Sequence, residues 1–262
     1  SDENGAEALA LARENGVNTE YVAVDRRYPT GVCNVTLTNG LPQYELVKGV
    51  AYDHIPPTAP RGNFDALYMG TLAMRSADSR RAFRFLAKNA SYGEVLFDMN
   101  LRGSFYTRDL VTELLHETTI LKISSEEMGF FGYREPVRQC MDISEKYPNL
   151  KYILVTLGAD GAFVYDCTDT ARRVLFSEKP QSKPVSTVGA GDSFATAMLV
   201  SLLQGMEKTG GRWADPACRA LLLPDALEAA AAFSAKNCLV HGAFDCGVTV
   251  PASVHDRIYE GV

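Results

Sequence analysis

Val185-Ser186-Thr187-Val188-Gly189-Ala190-Gly191-Asp192-Ser193-Phe194 runs without a break into Ala195-Thr196-Ala197-Met198-Leu199-Val200-Ser201-Leu202-Leu203-Gln204-Gly205-Met206. Gly189, Ala190 and Gly191 make a turn of small residues, and the residues after them are helix-forming and apolar on nearly every face. A helix that is apolar all round is a buried one. A glycine turn opening onto such a helix aims backbone N–H groups out of the first turn, where the macrodipole also favours negative charge. The stretch therefore reads as an anion site, with phosphate the commonest guest. Asp192 fits an N-cap, but a carboxylate beside bound phosphate is repelled unless it has a task. The task that suits it is taking a proton from an attacking hydroxyl.

Outward from this stretch, the chain alternates short apolar runs with helical periods. Ala66–Gly70 reads as a buried strand, and Glu94–Asp98, Thr119–Ile123 and Tyr152–Thr156 as further strands. Helices are predicted over Gly5–Asn15, Ser79–Asn89, Thr107–His116 and Glu135–Lys146, with two more near Ala217–Leu222 and Asp225–Asn237. Gly161–Tyr165 and Arg173–Phe176 read as a hairpin. Strands separated by helices of this length imply an α/β fold of three layers, a mainly parallel sheet with helices on both faces. Ligands in such sheets bind beyond the carboxyl ends of the strands.

The segment 21–53 differs. Tyr21–Val24, Gly31–Leu37 and Gln43–Val47 alternate apolar and polar residues, and Asn39-Gly40 is a strong hairpin turn between the last two. Alternation leaves one wet face, so these runs predict a small antiparallel sheet standing off the main body. It is either an edge hairpin or a lid over a substrate. The expected organisation is a core of residues 1–20 and 54–262 with a β lid over 21–53.

The 262 residues are 46% hydrophobic, enough to bury one α/β core with a small appendage. A net charge of −6 gives no reason to expect a nucleic acid or an anionic membrane as partner. Phosphate binding must then come from local geometry. The six cysteines (Cys33, Cys140, Cys167, Cys218, Cys238, Cys246) are scattered and contain no C-x-x-C pair, which suits reduced cytoplasmic thiols. His54, His116, His241 and His255 are equally dispersed and predict no metal cluster. No apolar run is long enough to cross a bilayer. Ser1 in place of methionine, ahead of a segment that already reads as helix, implies a processed or truncated chain.

Thr187-Val188-Gly189-Ala190-Gly191-Asp192-Ser193-Phe194 resembles the DTxGAGD signature of the ribokinase-like carbohydrate kinases of phosphofructokinase B type, with Ser186 where the pattern has its first aspartate. Asp98-Met99-Asn100-Leu101-Arg102 resembles the D-x-N-x-R string of fructokinases and 2-keto-3-deoxygluconate kinases. Gly70-Thr71-Leu72-Ala73 is similar to a G-[ST]-L-A stretch near the sugar. Pro29-Thr30-Gly31, the hairpin and Val50–Asp53 look like the fructokinase lid. The resemblance implies an ATP-dependent sugar kinase, most like a fructokinase, with 2-keto-3-deoxygluconate, ribose or a nucleoside as alternative acceptors. It assigns Gly189, Ala190 and Gly191 to the anion hole, Asp192 to the base and Arg102 to the transferred phosphate. Gly70, Asn100, Arg102 and Asp192 would face the sugar.

Two further strings belong to the same resemblance. Lys122-Ile123-Ser124-Ser125-Glu126-Glu127 stands where the family has N-x-x-E, so Glu127 would act indirectly on magnesium; a capping role for Ser124 and Glu127 is compatible with this. Thr156, Gly158 and Gly161 of Thr156-Leu157-Gly158-Ala159-Asp160-Gly161 would lie under the nucleotide, and Asn237 and Gly242 would flank adenine. ATP and Mg2+ are the implied cofactors, a monovalent cation is disfavoured by Ser186, and a homodimer through the lid is the implied assembly. The family also carries a strand-rich N-terminal segment with a sugar-binding aspartate and a Gly-Gly turn, and neither is found here. That absence and Ser186 motivate a competing reading, a non-catalytic relative serving as sensor or scaffold. A dinucleotide-binding oxidoreductase is excluded because no G-x-G-x-x-G follows an early strand.

Overall fold

The computed structural model describes residues 1–38, 41–132, 135–210, 214–240 and 242. Two compact units emerge. The first comprises Ser1–Phe64, Gly70–Gly93 and Leu101–Leu110; the second comprises Asp65–Met69, Glu94–Asn100 and the chain from Val111 onward.

In the first unit, α1 (Glu3–Glu14) starts where Asp2 accepts the Gly5 N–H at 2.9 Å. The same carboxylate accepts the N–H and hydroxyl of Thr30 at 2.7 and 2.6 Å, tying the helix start to the chain before the hairpin. The hairpin is β1 (Cys33–Thr38) and β2 (Leu41–Leu46), antiparallel from Cys33 opposite Leu46 to Thr38 opposite Leu41. The predicted Asn39-Gly40 turn lies outside the described residues. Tyr21–Val24 does not form the third strand its alternation predicts: Tyr21, Val22 and Val24 are exposed loop. A strand is made by its partner's hydrogen bonds, and none of the described residues supplies them. α2 (Ala77–Asn89) starts where Ser76 accepts the Ser79 N–H.

The second unit is built on a sheet of order β3-β4-β5-β6-β7-β8. Its strands are β3 (Asn63–Gly70), β4 (Ser91–Asp98), β5 (Ile120–Ser124), β6 (Tyr152–Thr156), β7 (Ala162–Asp166) and β8 (Val174–Phe176). β4, β5 and β6 run parallel, and β7 and β8 add antiparallel. β3 corrects an expectation, because in this stretch only Met69 is buried and Tyr68 is 43% exposed. It is the terminal strand of the sheet order, so one side of it lacks the cover that a central strand receives.

Both faces of the sheet are apolar, as parallel strands covered on both sides require. Leu96, Ile120, Leu154 and Val164 meet α5 (Ala190–Thr209) and α6 (Pro216–Asn237) in one core with Phe194, Met198, Leu202, Leu223 and Leu227. Phe97, Leu121, Ile153 and Phe163 alternate with them and are equally buried. Buried residues of α3 (Arg108–Glu117) and α4 (Pro136–Lys146), among them Val111, Leu114, Leu115, Cys140 and Ile143, complete the apolar interior. α6 is one helix where the sequence predicts two, with Pro224 inside it. Proline removes one ladder hydrogen bond and strains the turn before it. Leu222, Leu223, Ala226, Leu227 and Ala230 are buried on both sides of that position, and this packing carries the helix through.

Candidate active site

Gly189 precedes α5 with φ 77° and ψ 0°, left-handed backbone that glycine adopts without a Cβ penalty. The Ala190 N–H turns back to Thr187 O at 3.2 Å, and the Ser193 N–H reaches Gly189 O at 2.9 Å. Between them, the N–H groups of Gly191 and Asp192 have no protein acceptor among the described residues. Of the residues that the resemblance assigns to the anion hole, Ala190 thus spends its N–H on Thr187, while the Gly191 N–H, joined by that of Asp192, stands at the positive end of a long, buried helix. The N-cap is Gly189, so Asp192 is not the cap that its position near the turn suggests. It lies in the first turn of α5 and is exposed.

The turn is braced from behind by the end of α6. Ser234 Oγ donates to Ala190 O at 2.8 Å, Asn237 Nδ2 donates to Val188 O at 3.2 Å, and Cys238 O accepts from Val185 and Ser186. Asn237, assigned by resemblance to the nucleotide, is thus buried with its amide on the glycine turn. Ser186 Oγ accepts the Val188 N–H at 3.3 Å, a local hydroxyl turn at the position of the missing aspartate.

Asp98, the last residue of β4, and Lys122, in the middle of β5, form an ion pair of 3.0 Å with side chains only 4% and 7% exposed. Tyr68 Oη donates to the other Asp98 oxygen at 3.1 Å. Burial pushes the Asp98 carboxyl up, the Lys122 ammonium pulls it down, and the Glu127 carboxylate raises it again. Desolvation of the Tyr68 hydroxyl, with the charges of Asp98 and Asp192 next, holds that phenol far above its ordinary value, although the residue as a whole is partly exposed. Asp98 thus feels Lys122, Glu127 and Tyr68, and Tyr68 in turn feels the charge of Asp192. Sequence reading passed over Lys122 and Tyr68. The available signal was a lysine inside the apolar run of β5, since lysine is almost never fully buried unless paired.

Asn100 follows with φ 39°, a left-handed conformation that asparagine tolerates better than most residues. This supplies a backbone reason for the asparagine of the Asp98–Arg102 string. Arg102 itself is exposed, in the stretch belonging to the first unit, and its carbonyl accepts the Phe105 N–H. Gly70 ends β3.

Glu127 and Ser124 form the reciprocal pair predicted for a cap. The Ser124 N–H donates to Glu127 Oε2 at 2.9 Å, and the Glu127 N–H donates to Ser124 Oγ at 3.3 Å. No group of three or more metal-binding side chains occurs among the described residues. The donor present, Glu127, suits a hard cation held indirectly, with water and phosphate oxygens completing its shell, whereas both Asp98 oxygens are taken by Lys122 and Tyr68. Thr156 ends β6, and the turn after it closes where the Leu157 N–H donates to Gly161 O at 2.8 Å. A Cβ on Gly161 would meet Ser177 Oγ at 2.8 Å and Glu178 O at 2.9 Å, so glycine is required there. Gly158 and Gly242 also have positive φ, 60° and 93°. Ala243 and the chain beyond it lie outside the described residues.

The first unit holds a separate polar arrangement at the base of the hairpin. Arg75 contacts Asp53 through Nε at 2.6 Å and Nη2 at 2.9 Å, and Nη2 also donates to Val47 O at 2.5 Å. Its guanidinium lies 4.7 Å from the Tyr52 ring centroid and 4.8 Å from that of Phe105. Asp53 Oδ2 accepts the Gly49 N–H at 2.9 Å. Burial pushes the Asp53 carboxyl up, but Arg75 and the two backbone donors outweigh it and hold it below the usual range. A cavity of about 380 Å³ lies beside this clamp, lined by Lys48, Asp53, Arg75, Arg80 and Phe105 among others. None of the described helices is long and apolar enough to cross a membrane.

Residues 1–249 match the family described as pfkB family carbohydrate kinase. Probable fructokinase-5 of Arabidopsis thaliana is 27% identical over 215 residues, 77% of this chain and 65% of that protein. Aminoimidazole riboside kinase of Salmonella typhimurium is 26% identical over 216 residues, with the same 77% and 65% coverage. The chain thus spans 65% of the length of either relative. Fructokinase from Vibrio cholerae, solved with fructose, ADP and calcium ion, superposes with a TM-score of 0.77 at 20% identity, over 98% of this chain and 82% of that one. The fold is accordingly ribokinase-like α/β, and the glycine turn, its aspartate and the family match agree: the chain belongs to the pfkB family of carbohydrate kinases.

Proposed function

We propose that this protein is an ATP-dependent sugar kinase with fructose as the favoured acceptor. One observation carries the reading: a left-handed glycine opens α5, leaves two backbone N–H groups without acceptors among the described residues, and places the exposed Asp192 in the same turn. In this reading Asp192 removes the proton from a sugar hydroxyl. The hydroxyl oxygen forms a bond to the γ-phosphorus as the bond to the bridging oxygen breaks, and ADP leaves. Charge developing on the transferred group meets the Gly191 and Asp192 amides, with Arg102 assigned to the same group by the family pattern. Glu127 would hold magnesium indirectly, through water or phosphate oxygens; the metal supplies charge neutralisation when bound.

Thr156, Gly158, Gly161, Asn237 and Gly242 are assigned to the nucleotide, and Gly70 and Asn100 to the sugar. The hairpin within 21–53 serves as a lid that excludes water during transfer. A homodimer through that hairpin and a cytoplasmic location belong to the same reading. The fructokinases among the relatives favour fructose; the riboside kinase among them keeps a nucleoside-like acceptor in second place.

The test is ADP release in a coupled assay over fructose, 2-keto-3-deoxygluconate, ribose and aminoimidazole riboside. Fructose should give the highest kcat/KM. ATP binding with no sugar-dependent ADP release would refute the kinase reading and support a non-catalytic sensor or scaffold.

A further inference from the structure

Lys122 is a charged residue in the middle of β5, between Leu121 and Ile123, both fully buried. Such a lysine is tolerated only with a partner, and Asp98 provides one at 3.0 Å while also accepting from Tyr68. The ammonium also reaches toward the anion-binding turn. A Cβ built on Gly191 would stand 2.9 Å from Lys122 Nζ and 3.7 Å from its Cε, with no further contact found within 4 Å, so the Asp98 oxygens lie farther off. The positive end of the pair therefore faces the turn. Gly191, unlike Gly189, does not have the positive φ that demands glycine. Its lack of a side chain is explained by the ammonium occupying that space.

A cation beside a helix N-terminus is opposed by the helix dipole, so helix stability gives no reason for this placement. An anion bound outside the turn is attracted by both. We propose that Lys122, held by Asp98, is a positioning residue for phosphoryl transfer: it supports the Gly191 backbone from beneath and adds positive charge to the anion-binding turn. This rests on the kinase reading above. It assigns the buried β4–β5 ion pair to the reaction, beyond a purely structural tie between strands.

The experiment uses the whole chain with both charges removed together, Lys122→Met with Asp98→Asn, so that no carboxylate is left buried alone. Thermal unfolding, kcat and KM for the best sugar, and ATP binding by calorimetry are measured beside the unmodified protein. The neutral pair should fold, keep the sugar KM within about threefold, and lose roughly 10²-fold in kcat, the scale of a misplaced or weakened charge-stabilising donor. A folded neutral pair with kcat within about threefold of the unmodified protein overturns the proposal. Gly191→Ala offers a refutation even where the neutral pair does not fold. It should lower kcat by driving a methyl group against the ammonium, and full activity would overturn the proposal. Absence of ADP release by the unmodified protein with every sugar would refute the kinase reading itself. ATP affinity then judges the placement of Lys122: several-fold weaker binding in the neutral pair supports it, and equal binding overturns it.

Discussion

Replacing Asp192 with asparagine separates catalysis from stability. The structure makes the two effects unequal. Gly189 is the N-cap and no side-chain cap bond closes this helix, so the substitution removes no cap. What it removes structurally is one carboxylate in the first turn of a helix, worth about 0.3–1 kcal/mol when exposed. At the scale of a chain this long, that shifts Tm by no more than about 4 °C. The loss of a general base should lower turnover by roughly 10²–10⁴, equivalent to about 2.7–5.5 kcal/mol of barrier. Asparagine keeps the shape, and the Gly191 and Asp192 amides remain, so ATP affinity should change little. The assay is ADP release at saturating ATP and sugar, with thermal unfolding and an ATP titration on the same preparations. Turnover within about threefold of the unmodified protein would refute the assignment and leave Asp192 as a dipole-complementing charge.

The clamp at the hairpin base should behave as a buried ion pair: Arg75→Ala leaves Asp53 uncompensated and should cost about 3–5 kcal/mol, a Tm loss of about 6–20 °C, whereas an unchanged melt would show the pair to be dispensable. If the hairpin is a lid, replacing residues 34–45 with a two-residue turn should raise the sugar KM and the ATP hydrolysis seen without sugar; no change in either would make it decoration. Ser186 offers a hydroxyl where the family pattern has a carboxylate, so potassium should activate the protein little and Ser186→Asp should gain activation. Saturable potassium activation of the unmodified protein, with sodium as control at fixed ionic strength, would refute this. Asp2 is held down at about 2 by the Thr30 hydroxyl first, then by the Thr30 and Gly5 amides. Because that is below its unfolded value of 3.8, its contribution is complete above about pH 4 and disappears as pH falls through 2. Hydrogen exchange of α1 should therefore quicken over that window, and Asp2→Ala should abolish the dependence; an unchanged dependence in that variant would assign it elsewhere.

The strand and helix alternation from β4 to α5 was legible in the sequence because each element carries its own period, and β6 falls on the residues its apolar run predicts. The glycine turn was legible for a similar reason: a left-handed position, and first-turn N–H groups that have no partner within the helix, are local properties of Gly189-Ala190-Gly191. Elements that depend on a neighbour were not. Tyr21–Val24 alternates as a strand does but finds no partner, and Pro224 breaks the helical period that packing across α6 restores. Tyr68 sits on a terminal strand, a property of sheet order and not of its own residues. Lys122, Asp98 and Gly191 lie far apart in the chain. Their meeting was decided by the parallel registration of β4 with β5, which pairs Asp98 with Lys122, and by α5 starting where the ammonium ends. A buried charge is stable only where the tertiary fold brings its counter-charge, so a sequence can display the lysine but not its partner.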